Sequence, residues 1–235
     1  MTKANQETKT AVAPWNPTMS LSPAAMQDAG LGNENVRTED LALPRLVLLQ
    51  QMSPETMPGS GDKYVKGAQP GLILNSLTNE LFKAVYCANL DFSVEYTVWR
   101  KRDQGGGLLG TFPTEQEARE FVNANTEVKP EHCDVVETHN HLLLLIDEEG
   151  KIKDPVLCQM TSSKLSVSRR WNSMPAIRKG ARFGSIWALS SVMAKNKAGQ
   201  PYYNFDIELA GCPDDALYAQ IKSVYEALGL NKTTH

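Results

Sequence analysis

From Asp91 to Trp99 the chain reads DFSVEYTVW, with Phe92, Val94, Tyr96 and Val98 at every second residue. A period of two belongs to one face of a β-strand, so this row must lie against a core. Other strand-like runs are LALPRLVLLQQM, GLILNSL, LFKAVYC, HLLLLIDEEG, PVLCQMTSS, SIWALSSVMAKN and YYNFDIEL. The proline in the first suits an edge strand, and the Lys197–Pro201 region reads as the turn between the last two. Three segments have helical character instead. TEQEAREFVNAN has Thr114 as its cap and Glu117 at the capping-box position. KLSVSRRWNSM is expected to end near Pro175. CPDDALYAQIKSVYEALGL is amphipathic, with Ala216, Leu217, Ile221, Val224, Tyr225 and Leu228 at helical spacing, acids at its start and Gly229 as its stop. The expected class is α+β: an antiparallel-sheet core with two or three helices, including the C-terminal amphipathic one. An OB-like barrel is one version of it.

Residues 1–40 are rich in Ala, Thr, Asn, Pro and Gly and read as a flexible or docking tail, with a short helix near Pro23–Ala29. Residues 41–235 are expected to form a single domain. No run approaches the roughly 20 apolar residues that span a bilayer, and the N-terminus lacks the apolar region of a secretory signal. The cysteines at 87, 133, 158 and 212 form no CxxC pair, which favours free thiols in a reducing compartment. Walker A, GxGxxG, HExxH and GxSxG motifs are absent, so neither catalysis nor a cofactor is expected. His132, Cys133, His139 and His141 cluster in sequence, but their spacing matches no established metal pattern.

The informative feature is charge segregation. Between Pro155 and Phe205 there is no Asp or Glu, while Lys164, Arg169, Arg170, Arg178, Lys179, Arg182, Lys195 and Lys197 all lie there. That stretch is formally +8 in a chain of −3, so the remainder is −11. Trp171, Phe183, Trp187, Tyr202, Tyr203 and Phe205 are interleaved with the cations. Single-stranded nucleic acid wants this pairing, because cations neutralise phosphates and flat rings stack on bases. Lys164, Arg169, Arg170, Arg178, Lys179 and Arg182 are the expected phosphate contacts. Trp171, then Tyr202 and Tyr203, are the expected stacking residues, and Arg100, Lys101 and Arg102 beside the triple glycine extend the groove.

Four segments in order, LPRLVLLQQMSPE, VKGAQPGLILNSLTNELF, EYTVWRKRDQGGGLLGTF and MTSSKLSVSRRWNSM, resemble single-stranded-DNA-binding proteins of tailed bacteriophages. Among these they resemble the type that serves as an RNA polymerase cofactor (Drc) in Pseudomonas podoviruses. The resemblance covers roughly Leu43 to Leu228. It implies a phage-specific fold rather than an OB barrel and single-stranded DNA as ligand. It also implies a role in replication or in early-to-middle transcription, in the cytoplasm of the infected bacterial host. A phage RNA polymerase or replication proteins would be the protein partners, homo-oligomerisation is open, and no membrane is involved. Two rival readings are a regulatory protein that binds an acidic protein partner without DNA, and a metal nuclease built on the His132–His141 region.

Overall fold

The computed structural model describes residues 43–230, together with Ser22, Ala24, Gln27, Asp28 and Leu31. The chain divides into two units, Met1–Ala42 and Leu43–His235. The helix expected near Pro23–Ala29 lies largely outside the described residues.

In the second unit the order of elements is β1 (Leu46–Leu48), β2 (Ile73–Asn75), β3 (Leu81–Phe82), β4 (Ala84–Arg100), β5 (Leu108–Phe112), α1 (Glu115–Ala124), β6 (Cys133–Ile146), β7 (Ile152–Thr161), α2 (Leu165–Arg178), β8 (Ile186–Lys195), β9 (Pro201–Gly211) and α3 (Asp215–Ala227). This is an α+β fold with antiparallel sheets. β1, β2 and β3 form a small three-stranded sheet. The main sheet has six strands in the order β7-β6-β4-β8-β9, and β5 pairs with the distal part of β4. Among the described residues no pairing joins β7 to β9, so the sheet is open and not an OB-like barrel. LFKAVYC and DFSVEYTVW are not separate strands. They merge into the 17-residue β4, whose register against β6 shifts between Asn89 and Asp91. The extra residue lets one long strand serve two parts of the molecule.

Strand alternation divides the core. One face of the sheet sends Val85, Cys87, Leu143, Leu145, Val156, Cys158, Met160, Trp187, Leu189, Phe205 and Ile207 against α2 and against Leu46, Leu48 and Ile73 of the small sheet. The opposite face sends Ala88, Leu90, Leu144 and Ile146 toward Phe183 and the Ile221 side of α3. The distal ends of β4 and β6 pack Val98 and Val135 on Ala118 and Val122 of α1. The Thr114 cap expected from sequence is made, and Asp214, expected only as a favourable charge at the start of α3, caps that helix as well. Glu117 N–H donates to Thr114 Oγ1 at 3.2 Å, and Leu217 N–H donates to Asp214 Oδ1 at 2.8 Å. α2 does not stop near Pro175 but runs through it to Arg178. Proline there lacks only its own N–H, and its buried ring packs in the interior.

Each border of the main sheet is blunted. Along β9, the Gln50 side chain donates to Tyr203 O and accepts from Tyr203 N–H, both at 2.9 Å. Phe205 and Ile207 donate their N–H groups to the side chains of Asn204 and Asp206. On β7, Leu157 N–H donates to Pro44 O at 2.8 Å. β5 carries a register irregularity opposite Val98 and Trp99, and Pro113 follows its end. All three devices deter strand addition.

The β1–β2 connection approaches β9 so closely that only glycine fits at residue 71. Its φ is +90°, and a Cβ there would meet the Tyr203 ring at 2.5 Å. Gly71→Ala is expected to cost about 2–3 kcal/mol through backbone strain and displacement of Tyr203. Chemical denaturation of the variant checks this.

Candidate functional site

Helix geometry separates what is adjacent in sequence. Successive residues of α2 turn by about 100°, so Arg169 and Arg170 leave the helix in different directions while Trp171 points inward. Arg169 Nη2 donates to Glu137 on β6, 3.2 Å from both carboxylate oxygens. Arg170 Nη2 bonds Asp206 Oδ1 at 2.5 Å and Ile207 O at 3.3 Å, closing part of the β9 border. The two guanidinium groups therefore do not form one anion grip, because each already has a carboxylate. Trp171 is fully buried, stacked on His141 with centroids 4.6 Å apart and edge-on to Trp187 at 6.2 Å. It is a core residue, and the expectation that it stacks on bases is corrected.

The other cations predicted around α2 are dispersed. Lys164 is half-buried at the helix start, 5.7 Å from the Phe205 centroid, and desolvation lowers its pKa. Arg182 lies 5.3 Å from the Phe92 centroid and donates to Asn172 Oδ1. Arg178 and Lys179 are exposed beside Ile177, which is 78% exposed, and Arg178 Nη2 lies 3.0 Å from Cys212 Sγ. Tyr203 packs against the core and Gly71, while Tyr202 is half-buried near the base of the β8–β9 turn.

An open ring near weakly partnered cations occurs instead at the β4–β5 hairpin. Trp99 is 42% exposed and faces Leu108, itself 53% exposed. The indole N–H donates to Thr97 Oγ1 at 2.9 Å, which ties the ring to the side of the sheet away from α1. Period two places Arg100 on the opposite side, with Cys133 and α1, so the predicted Arg100–Lys101–Arg102 group is split. Among the described residues Arg100 has no ion-pair partner, and its Nε is buried without a hydrogen-bond partner. Lys101 lies 4.0 Å from Asp134, an exposed pair of little energetic weight. Arg102 is exposed at the tip, and Gly105, Gly106 and Gly107 all have positive φ. Sequence reasoning placed Trp99 at the head of this basic group without giving it a stacking role. Its signal was its parity, one step out of phase with the apolar row that ends at the buried Val98.

A second arrangement was visible in sequence only as two histidines sharing a strand face. His139 and His141 project from β6 toward α2, and both meet Ser168: Nδ1 of His139 at 2.6 Å from Oγ and Nε2 of His141 at 2.7 Å. Nε2 of His139 lies 2.8 Å from Glu137 Oε1, and Nδ1 of His141 lies 3.0 Å from Asn89 Nδ2. For two neutral rings the carboxylate fixes the direction of the chain. His139 donates from Nε2 to Glu137 and accepts at Nδ1 from the Ser168 hydroxyl. Ser168 accepts from His141 Nε2–H, and His141 accepts at Nδ1 from the Asn89 amide. Burial, then the nearby Arg182 and His139, push the His141 pKa down to about 3. The hydrogen bond from His139, then those from Arg169, hold the Glu137 carboxyl below its usual value. Ser168 is wholly buried, so the order Glu–His–Ser presents no hydroxyl to solvent. Among the described residues no three His, Cys, Asp or Glu side chains converge as metal ligands. No described helix is long and apolar enough to cross a membrane.

No curated protein and no solved structure matches the chain. The Pam3 phage gp34-like protein family matches residues 16–234, nearly the whole sequence. That description names a phage protein and no ligand. The chain belongs to the Pam3 phage gp34-like protein family.

Proposed function

We propose that this phage protein binds single-stranded DNA through the β4–β5 hairpin, with Trp99 stacking on a base and Lys101 and Arg102 meeting phosphates. The observation that carries the reading is the half-exposed indole of Trp99, held by its hydrogen bond to Thr97 and followed in the chain by Lys101, with one weak ion pair, and the exposed Arg102. A ring pinned in advance loses little entropy on stacking. The left-handed glycines of the hairpin leave room for a backbone to approach. Service in phage replication or in transcription with a phage RNA polymerase follows from the sequence resemblance to ssDNA-binding cofactors.

The test is fluorescence anisotropy with a labelled oligonucleotide. Trp99→Ala is expected to weaken binding about tenfold, the loss of one base stack of roughly 1–3 kcal/mol. With about two phosphates neutralised, log K should fall against log salt with a slope near −1.4, and Lys101→Ala with Arg102→Ala should flatten that slope. Arg169→Ala with Arg170→Ala is expected to leave affinity within twofold. Loss of binding in that pair, with none in the hairpin variants, would return the contact to α2.

A second reading is favoured by Ile177, exposed next to Arg178 and Lys179 at the end of α2. An apolar side chain beside paired cations suits an acidic protein partner such as a polymerase subunit. A complex that survives nuclease treatment and is lost in Ile177→Asp, with no oligonucleotide shift, would support it.

A further inference from the structure

We infer that the binding surface continues from Trp99 along the same side of β4 to a group of side chains, Glu95, Asn140 and Gln159, that reads a guanine base; this rests on the hairpin reading above. Alternation places Trp99, Thr97 and Glu95 on one side of β4, and the registers of β4 with β6 and of β6 with β7 put Asn140 and Gln159 on that side too. α1 and α2 pack on the other side. On this side, the strand residues that meet Phe183 and α3 end at Leu142. The rows from Asn140 to Trp99 thus carry polar side chains on a part of the sheet where no described helix lays an apolar face.

Serine or threonine would suffice to keep such a face wetted, but these three side chains are held together. Gln159 Nε2 donates to Asn140 Oδ1 at 3.0 Å and reaches Glu95 Oε1 at 3.4 Å. That engages both amide hydrogens of Gln159 and leaves three groups without a hydrogen-bond partner among the described residues. They are the Asn140 Nδ2 donor and the Gln159 Oε1 and Glu95 Oε2 acceptors. None of them is a buried orphan atom, so all three are offered to solvent, that of Asn140 from a residue only 8% exposed. One donor and two acceptors is the set that cytosine presents to guanine. Guanine answers with its O6 acceptor and its N1 and N2 donors, an edge that a single strand leaves free. Glu95 is the discriminating member. Guanine has its 2-amino group where thymine and cytosine carry O2 and where adenine has only C–H. A carboxylate accepts from the amine and repels the carbonyl. Glu95 is four residues from Trp99, roughly 13 Å along the strand, so the base it reads is not the stacked one but one further along. Its charge also keeps phosphates off this face and leaves them to Lys101 and Arg102.

Fluorescence anisotropy on the full chain tests this, with oligo-dT and with the same oligonucleotide carrying one guanine, adenine, cytosine or hypoxanthine at its centre. The single guanine is expected to tighten binding about tenfold over thymine. Hypoxanthine, which is guanine without the 2-amino group, should lose most of that gain. Glu95→Gln should bring the guanine-to-thymine ratio close to one. Binding that depends on Trp99 but shows no preference for guanine would overturn the assignment and leave the hairpin reading intact. So would hypoxanthine as good as guanine, or a preference that Glu95→Gln retains. No binding to any of the oligonucleotides, or equal binding by Trp99→Ala, overturns both. Should Glu95→Gln not fold, the hypoxanthine comparison on the native chain decides alone.

Discussion

Trp171→Ala should cost about 3–5 kcal/mol of folding stability and leave the variant largely unfolded at physiological temperature. The side chain is fully buried, and its ring lies between His141 and Trp187 in the cluster that joins α2 to both sheets. Removing it takes away the transfer energy of an indole and opens a cavity that rigid strands on one side cannot collapse to fill. Because its Nε1 has no partner, Trp171→Phe should be far milder, about 1–2 kcal/mol, since it deletes an unsatisfied donor along with the volume. Urea titration of the two variants checks the pair of values. A loss below about 1 kcal/mol for the alanine variant would return Trp171 to the surface and to nucleic acid.

Acid should weaken the fold well before carboxylates titrate. His141 is held near pKa 3 in the folded chain against an ordinary value of 6.5, chiefly by burial. Between those limits the unfolded chain binds a proton that the folded chain refuses. Stability is therefore full above pH 6.5 and falls by up to about 1.4 kcal/mol for each unit below it. Glu137 acts in the same direction at lower pH. Its carboxyl is depressed by the His139 hydrogen bond, so its contribution is present above the usual carboxylate value and is lost on acidification through the folded value. Denaturant midpoints measured from pH 7.5 to 4 should show the decline, and His141→Asn should remove the part between 6.5 and 5.

Much of this architecture was legible because local chemistry determines it. The Thr114 cap, the acids at the start of α3, the β8–β9 hairpin and the apolar stripe of α3 need only neighbours in sequence. The path of β4 was less so, since the extra residue near Leu90 breaks its period and makes one strand look like two. The site was misread at α2 for a physical reason. Val167, Trp171, Met174 and Pro175 follow the helical repeat and go to the core, so the tryptophan that seemed to belong with Arg169 and Arg170 belongs with the stripe. The acid-free stretch was real, but folding supplies acids from elsewhere. Glu137 reaches Arg169 from β6, and Asp206, one residue beyond the stretch, reaches Arg170. The link from His139 and His141 to Ser168 spans the β7 hairpin, and no spacing rule announces it.

The guarded margins of the main sheet bear on how the protein can be stored and crowded. With Gln50, Asn204, Asp206 and Arg170 occupying the backbone positions of β9, Pro44 seated on β7, and a kink with a proline at β5, another chain finds no continuous ladder to extend. Fibril-like growth is thereby discouraged at high concentration. Any assembly must be built from side chains, where single substitutions can tune it.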